Sequence, residues 1–478
     1  MNDAYKLLRI GLVGLGLREY WNQFEGLEAR LHGYLDEAGK RISAPQRFLV
    51  NLGLVDSHER ALAAGHRCRQ DDIDILFVYV TTYALSATVL PVLLRAKVPV
   101  ILLNLQPAPA IDYVRFNQME SRTAMTGEWL AHCASCPVPE IVNVMQRLDM
   151  PVHQVTGMLH NDDVCWKQID EWLQAAATVK ALSHSRLGLL GHYYSGMLDI
   201  TTDLVQVSGR FGVHVEQLEV EELSALRREV DESAKSEMVR RFHDFFAIEE
   251  GCDPLEVERA AATAVALDRL VRKHDLDLMA YYYRGVGIAE NENVMSSIIP
   301  GASLLTGHSV PIAGEYEVKN AIAMKILDLM GVGGSFTEYY AMDFDADLVL
   351  MGHDGPGHVG IAQDKIKLRP LQVYHGKVGR GLSVEMSVRH GSVTLLSIVE
   401  DRERGFSFLA SSAESVPGDV LEIGNTNSRY RFRSGAREFV EKWNAAGPAH
   451  HCAIGVGNVL PQLQKISSIL NFHFHCIG

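Results

Sequence analysis

Basic residues are in the minority, with 45 Lys and Arg against 59 Asp and Glu and a formal net charge of -14. A nucleic-acid-binding chain usually presents a basic stripe, so this balance argues against that class. Cysteine is scarce as well: seven in 478 residues are too few for a disulfide framework. Cys133-Ala-Ser-Cys136 has the spacing of a redox or zinc half-site, but no second pair follows it, so reduced thiols are expected. Low-complexity runs, heptads and tandem repeats are missing too. One uncharged run, Ile75 to Leu94, has the 20 residues needed to span a bilayer. It divides at Thr81-Thr82 into a β-branched, aromatic half and an apolar half containing Pro91, which reads as a buried strand and its crossover helix. Lys6 and Arg9 precede only a short apolar run, again strand-like rather than a signal peptide. The expectation is a cytoplasmic protein with no membrane and no nucleic-acid partner, of about three domains by length.

What is present is alternation. Leu7–Leu15, Phe48–Val55, Ile75–Thr81, Val98–Leu105 and Val152–Leu159 read as strands, with helices such as Ser57–Cys68 and Leu85–Arg95 between them. That order predicts a doubly wound parallel sheet over residues 1–180. Gly14-Leu-Gly16 after the first strand invites a dinucleotide reading. The third glycine of the pattern falls at Glu19, whose carboxylate would repel a pyrophosphate, so no nicotinamide cofactor is expected. A second α/β unit, residues 181–332, is predicted from a strand at Arg186–Gly191, helices at Leu198–Phe211 and Cys252–His274, and a strand at Leu276–Tyr283. A loop from Gly285 to Gly314 and a helix from Glu315 to Leu329 complete it. From Ser335 the pattern turns to strands and turns, with runs at Lys365–Val373, Leu382–Arg389, Ser392–Ile398 and Asp419–Ile423. A β-rich barrel or sandwich is expected over residues 333–478.

Some residues break their local pattern, and such breaks mark functional sites. On the predicted helix, Glu315 shares the apolar face of Val318, Ile322, Ile326 and Leu329. It is either a buried, ionised carboxylate or a simple helix cap paired with Lys319. In Ser335-Phe-Thr-Glu-Tyr-Tyr-Ala-Met342, period two puts Phe336, Glu338, Tyr340 and Met342 on one face. A carboxylate there needs a partner. A hairpin with Asp347–His353, centred between Asp345 and Ala346, would set Glu338 directly opposite His353. An acid facing a histidine on apolar strands suggests a metal site or a buried Glu–His hydrogen bond. Of His450 and His451, adjacent on an extended chain, at most one would face such a site. His473-Phe-His475-Cys476 is expected to be packed or frayed.

Together these segments resemble the L-arabinose isomerase family, within the arabinose/fucose-type metal-dependent ketol isomerases. Gly314-Glu-Tyr-Glu-Val-Lys319 is similar to its E-G-D-W-K helix, Ser335-Phe-Thr-Glu-Tyr-Tyr340 to S-F-M-E-D-Y, Asp347-Leu-Val-Leu-Met-Gly-His353 to D-L-V-L-G-S-H, and Gly447-Pro-Ala-His-His451 to G-G-A-H-H. The resemblance runs from about Ser303 to His451. It implies a fucose isomerase-like fold of two Rossmann-like units followed by a β-rich domain. It also implies Glu315, Glu338, His353 and His451 as metal ligands, with Glu315 and Glu338 moving the protons.

The resemblance further implies an aldose–ketose isomerase of the L-arabinose to L-ribulose type, acting on a free pentose or deoxyhexose through an enediol. Another sugar such as L-fucose, or an inactive sugar-binding relative, is the alternative. Mixed O/N ligation suits Mn2+, with Co2+ or Mg2+ possible. Family members form hexamers or other closed homo-oligomers, so a hexamer or tetramer is expected, with a small-molecule sugar as ligand. The segments that touch sugar in the family, partly across a subunit interface, differ here. Gly16-Leu-Arg18-Glu-Tyr20-Trp21 stands for G-S-Q-x-x-Y, and Asn104-Leu-Gln106-Pro-Ala for H-T-Q-F-N. Arg18, Tyr20, Trp21, Gln106 and Tyr340 are the expected substrate contacts. After His353 the family's M-L-E gives way to Asp354-Gly-Pro-Gly-His358.

Overall fold

The computed structural model describes residues 7–284, 287–371 and 380–478. Two compact units divide the chain, Met1–Lys180 and Ala181–Gly478. The first holds strands β1 (Leu8–Leu15), β2 (Arg47–Val55), β3 (Ile75–Val80), β4 (Val100–Gln106) and β5 (His153–Met158). They form one parallel sheet in the order β2-β1-β3-β4-β5. The uncharged run resolves into β3, whose six residues are wholly buried, and the helix Ser86–Ala96 with Pro91 inside it. Strands buried on both faces carry no alternation, which is why the run is continuous. Among the described residues no helix is long and apolar enough to cross a membrane.

The second unit begins with another parallel sheet. Strands β6 (Arg186–Leu190), β7 (His214–Leu218), β9 (Leu278–Tyr281) and β10 (Ile312–Ala313) lie in the order β10-β9-β6-β7. The intervening β8 (Ala247–Ile248) leaves this sheet to pair with β13 (Lys367–Pro370), which also pairs with β14 (Leu382–Glu385). The remaining strands are β11 (Ser335–Asp343), β12 (Leu348–His353), β15 (Gly391–Asp401), β16 (Gly405–Val416), β17 (Thr426–Phe432) and β18 (His451–Val456). Their order β15-β18-β11-β12-β17-β16 is closed by β15–β16 pairing, making a barrel with no free edge. His473–Ile477 is packed, as strand β19 lying parallel to β16. One apolar cluster runs from Leu190 and Leu267 to Leu395 and Ile454, joining residues on both sides of position 333.

Several sequence expectations are corrected. The helix expected from Leu198 starts at Leu204, because the Asp203 carboxylate accepts from the amides of Val205 and Gln206 and fixes the first turn there. The expected loop from Gly285 to Gly314 contains two helices, Ala289–Met295 and Ile299–Thr306. The second packs so close that a Cβ on Gly301 would lie 2.7 Å from Ala264 Cα, so small residues there mark helix contact rather than loop. Asp419–Ile423 is not a strand: the Asn427 side chain occupies both the amide and the carbonyl of Leu421. The run Lys365–Val373 is strand only over β13, and its end lies outside the described residues.

The helix expected from Glu315 is Val318–Leu329. Before it, Gly314 O accepts from Glu317 N at 3.0 Å, and Glu315 and Tyr316 have φ of 58° and 64°. Two successive left-handed residues between those ends make a tight turn of the I′ kind. Neither residue is a glycine or asparagine, so each costs about 1 kcal/mol or more. Tyr316 is held by its amide to Tyr281 O (2.8 Å) and its hydroxyl to Gln217 Oε1 (2.7 Å).

The hairpin register is corrected too. At its tip Met342 faces Val349, as expected, but a bulge at Tyr340 shifts the ladder, and Glu338 faces Gly352 rather than His353. One extra residue on one strand reverses the facing of everything beyond it.

Candidate metal centre

The chain leaves β6 for β7 on one side and returns to β9 on the other, so β6 and β9 flank a switch point. Ligands of open α/β sheets bind outside the carboxyl ends of strands at such a point. A cavity of about 170 Å3 lies there. Tyr194 and Met197 follow β6, Tyr281 and Tyr283 come at and after the end of β9, and Gly314 and Glu315 follow β10. The barrel closes the other side with Glu338, His353, Asp354 and His450.

The turn before the helix separates two glutamates by function. Glu315 points into the cavity, with its side chain 15% exposed and Oε2 buried without a hydrogen-bond partner. Glu317, two residues on, is buried behind it and lies 2.5 Å (Oε2) from His451 Nδ1. His451 Nε2, also buried without a hydrogen-bond partner, lies 3.6 Å from Glu315 Oε2 and 4.0 Å from Glu338 Oε2. On the other side of β11 from Gly352, Glu338 stands directly across from His451 on β18. His353 reaches the same cavity from the end of β12, its ring edge-on to Phe336 at 4.4 Å and 5.0 Å from the His451 ring.

His450 is a correction. Strand alternation would turn only one of the two histidines to a site, yet β18 starts at His451 and His450 precedes it. Both rings face Glu315, their centroids 3.8 Å apart, with His450 Nε2 3.8 Å from Glu315 Oε2. Asp199 anchors His450, accepting from its amide (3.0 Å) and pairing with Nδ1 (2.6 Å). Lys319 does not pair with Glu315. Its ammonium donates to the carbonyls of Asp199 and Thr201.

Burial pushes the Glu315 and Glu338 carboxyls up, and His451 and His450 draw both back down. Each is raised again by neighbouring carboxylates: Glu338 and Glu317 act on Glu315, and Asp354 and Glu317 on Glu338. Burial lowers the His451 imidazole to about 4 and raises Glu317 to about 8. Burial thus disfavours the charged form of each partner in the metal-free protein, across a contact of 2.5 Å between Oε2 and Nδ1. Burial opposes the charges of His450 and Asp199 as well, but their mutual bond prevails, raising the imidazole and lowering the carboxyl.

The donor set fits a divalent cation. Glu315, His450 and His451 offer ligand atoms within 4.8 Å of one another. Two of these atoms, Glu315 Oε2 and His451 Nε2, are buried without hydrogen bonds, as sites for a cation require. Glu317 behind His451 supplies the carboxylate–histidine arrangement that orients a metal-binding ring. Sequence reasoning missed Glu317, His450 and Asp199. Glu317 stands within the quoted Gly314–Lys319 motif, whereas nothing in the sequence around Asp199 announces it.

The expected sugar contacts divide by location. Arg18, Tyr20 and Trp21 form the turn after β1, at the switch point of the first sheet. Trp21 Nε1 donates to Asp56 Oδ2 (2.8 Å), and Arg18 lies 3.7 Å from Glu59 Oε2 and 4.0 Å from Asp56 Oδ1. Gln106 ends β4 and donates to Ser135 Oγ. Tyr340, displaced by the bulge, is not among the residues lining the cavity; its hydroxyl accepts from Asn425 Nδ2.

Fold and site together define a class: a Rossmann-like α/β protein with a closed C-terminal barrel and a carboxylate–histidine centre between sheet and barrel. Residues 333–473 match the L-arabinose isomerase C-terminal domain, and this match over the barrel supports a sugar isomerase. No curated protein matches the chain. Among solved structures, a LacI family transcriptional regulator from Bifidobacterium animalis subsp. lactis DSM 10140 is 12% identical over 65% of this chain and 94% of its own. Its TM-score of 0.13 gives it no bearing on fold or function.

Proposed function

We propose that the protein is a metal-dependent aldose–ketose isomerase acting on a free pentose or deoxyhexose, of the L-arabinose to L-ribulose type, working as a cytoplasmic homo-oligomer. The observation that carries this reading is the buried pair Glu315 Oε2 and His451 Nε2, 3.6 Å apart and without hydrogen bonds, beside Glu338 in one cavity. Glu315, Glu338 and His451 would hold the ion with His353 or His450, and Mn2+ suits the mixed donors, Co2+ or Mg2+ being alternatives. When bound, such an ion polarises the sugar carbonyl and makes the adjacent C–H acidic.

This chain's residues do the rest. Moving a proton between C1 and C2 needs a carboxylate that accepts it and returns it one carbon away, through an enediol. Glu315 and Glu338 are carboxyls raised by burial toward neutrality, as such a base should be. One takes the carbon-bound proton while the other serves the hydroxyls. Tyr194, Met197, Tyr281 and Tyr283 wall the cavity. Its lining holds three carboxylates, Glu315, Glu338 and Asp354, and no lysine or arginine among the described residues. That balance favours a neutral sugar over a phosphorylated one.

A screen of aldopentoses and 6-deoxyhexoses for ketose formation tests the proposal. Turnover of at least one, dependent on added divalent metal and abolished by chelation, is expected. Metal-loaded protein inert toward every sugar of the screen would overturn it.

A further inference from the structure

Asp354 lines the cavity at the metal centre and also lines a wider groove of about 950 Å3 bounded by Glu249, Arg369, Ser383 and Glu422. No other described residue lines both. Asp354 also opens the segment in which this chain parts from the family pattern directly after His353.

That segment is pinned. The Gly357 amide donates to Ser303 Oγ (3.1 Å) and the His358 amide to Ser335 Oγ (3.2 Å). A Cβ on Gly357 would meet Thr426 Oγ1 at 2.7 Å and Met386 Sδ at 2.9 Å, and one on Gly355 would lie 3.3 Å from His353 Nδ1. The Gly-Pro-Gly run is thus held close against the barrel, and Asp354 at its start lines the cavity together with His353. Carboxylate oxygens accept hydrogen bonds, so such a residue suits hydroxyl donors and disfavours anions. A hydroxyl-to-carboxylate bond is also stronger than a neutral one.

We propose that Asp354 is a specificity-determining residue that accepts hydrogen bonds from sugar hydroxyls beyond the two reacting carbons. The groove that Asp354 also lines is the place toward which a longer sugar would extend. This rests on the isomerase reading and adds the part of the substrate that is selected. Bonds of this kind, remote from the reacting carbons, act equally in ground and transition state, and so show in KM rather than kcat.

The test uses Mn2+-loaded full-length protein, calorimetry with the inert polyols arabinitol, ribitol, xylitol and fucitol, and steady-state kinetics on whichever aldose is turned over. Asp354→Ala should weaken polyol binding and raise KM about 10- to 100-fold, with kcat, Mn2+ content and melting temperature kept. Asp354→Asn, which retains an acceptor oxygen, should lose less. An active wild type whose Asp354→Ala variant keeps its polyol affinity and KM overturns this inference alone. So does loss of Mn2+ from both variants, since Asp354 would then be a ligand. A wild type that neither binds the polyols nor turns over any aldose overturns the isomerase reading and this one with it.

Discussion

Glu317 and His451 form a pair with both side chains at most 1% exposed, their Oε2 and Nδ1 atoms 2.5 Å apart, one from the turn before a helix and one from a barrel strand. The pair leaves only Nε2 of His451 available toward Glu315 and Glu338. Replacing Glu317 should therefore act on metal binding through ring orientation. Glu317→Ala is expected to lower Mn2+ affinity about 10- to 100-fold, measured by competition with a chelating dye. Glu317→Gln should fall less, because its amide oxygen still accepts from Nδ1–H. Equal affinity in wild type and Glu317→Ala would detach the pair from the metal.

The same pair sets a pH dependence in metal-free protein. Glu317 is raised from 4.5 to about 8, so its contribution to stability is full below 4.5 and lost as pH climbs through 8. His451 is lowered from 6.5 to about 4, so its contribution is full above 6.5 and lost as pH falls through 4. From 4.5 to 6.5 the two slopes oppose each other, and above 6.5 only that of Glu317 remains. Thermal melts between pH 6.5 and 8 should show Tm falling more steeply in wild type than in Glu317→Gln. Parallel slopes would refute the assignment.

Proton transfer by Glu315 and Glu338 leaves an isotopic record. In heavy water, deuterium is expected at C2 of the aldose or C1 of the ketose, to an extent set by exchange. Glu315→Gln and Glu338→Gln should each lose most turnover while keeping the fold, and metal content must be measured beside activity. Lost turnover with metal retained supports the base role. Full activity in either variant removes that glutamate from the mechanism.

Trp21 is the test of the first unit. Its indole covers Gly16, where a Cβ would lie 2.8 Å from the ring, and its N–H is spent on Asp56. Trp21→Ala should change relative turnover among sugars if the ring shapes the sugar pocket. An unchanged preference profile would assign Trp21 to packing over Gly16.

The layers of the fold were legible because β-branched runs and helical stretches alternate, and β3 shows it plainly. Four motifs in one order singled out Glu315, Glu338, His353 and His451, which the fold brings close together. What escaped reading depends on single-residue offsets. A bulge at Tyr340 gave Glu338 a different partner, and the start of β18 one residue after His450 let two neighbouring rings face one carboxylate. Period-two reasoning assumes an unbroken strand, and neither place has one. Asp199 reaches His450 from 251 residues away, a distance at which no local pattern carries information.

The turn at Glu315 and Tyr316 carries a consequence for how this protein tolerates change. At φ near 60° asparagine and glycine rest more easily than glutamate, by about 1 kcal/mol. Glu315→Asn or Glu315→Gly would therefore relax the backbone while removing the carboxylate from the cavity. Selection for thermostability alone would drift toward these replacements, and selection for turnover would hold glutamate in place. Position 315 is thus a point where robustness and activity pull in opposite directions.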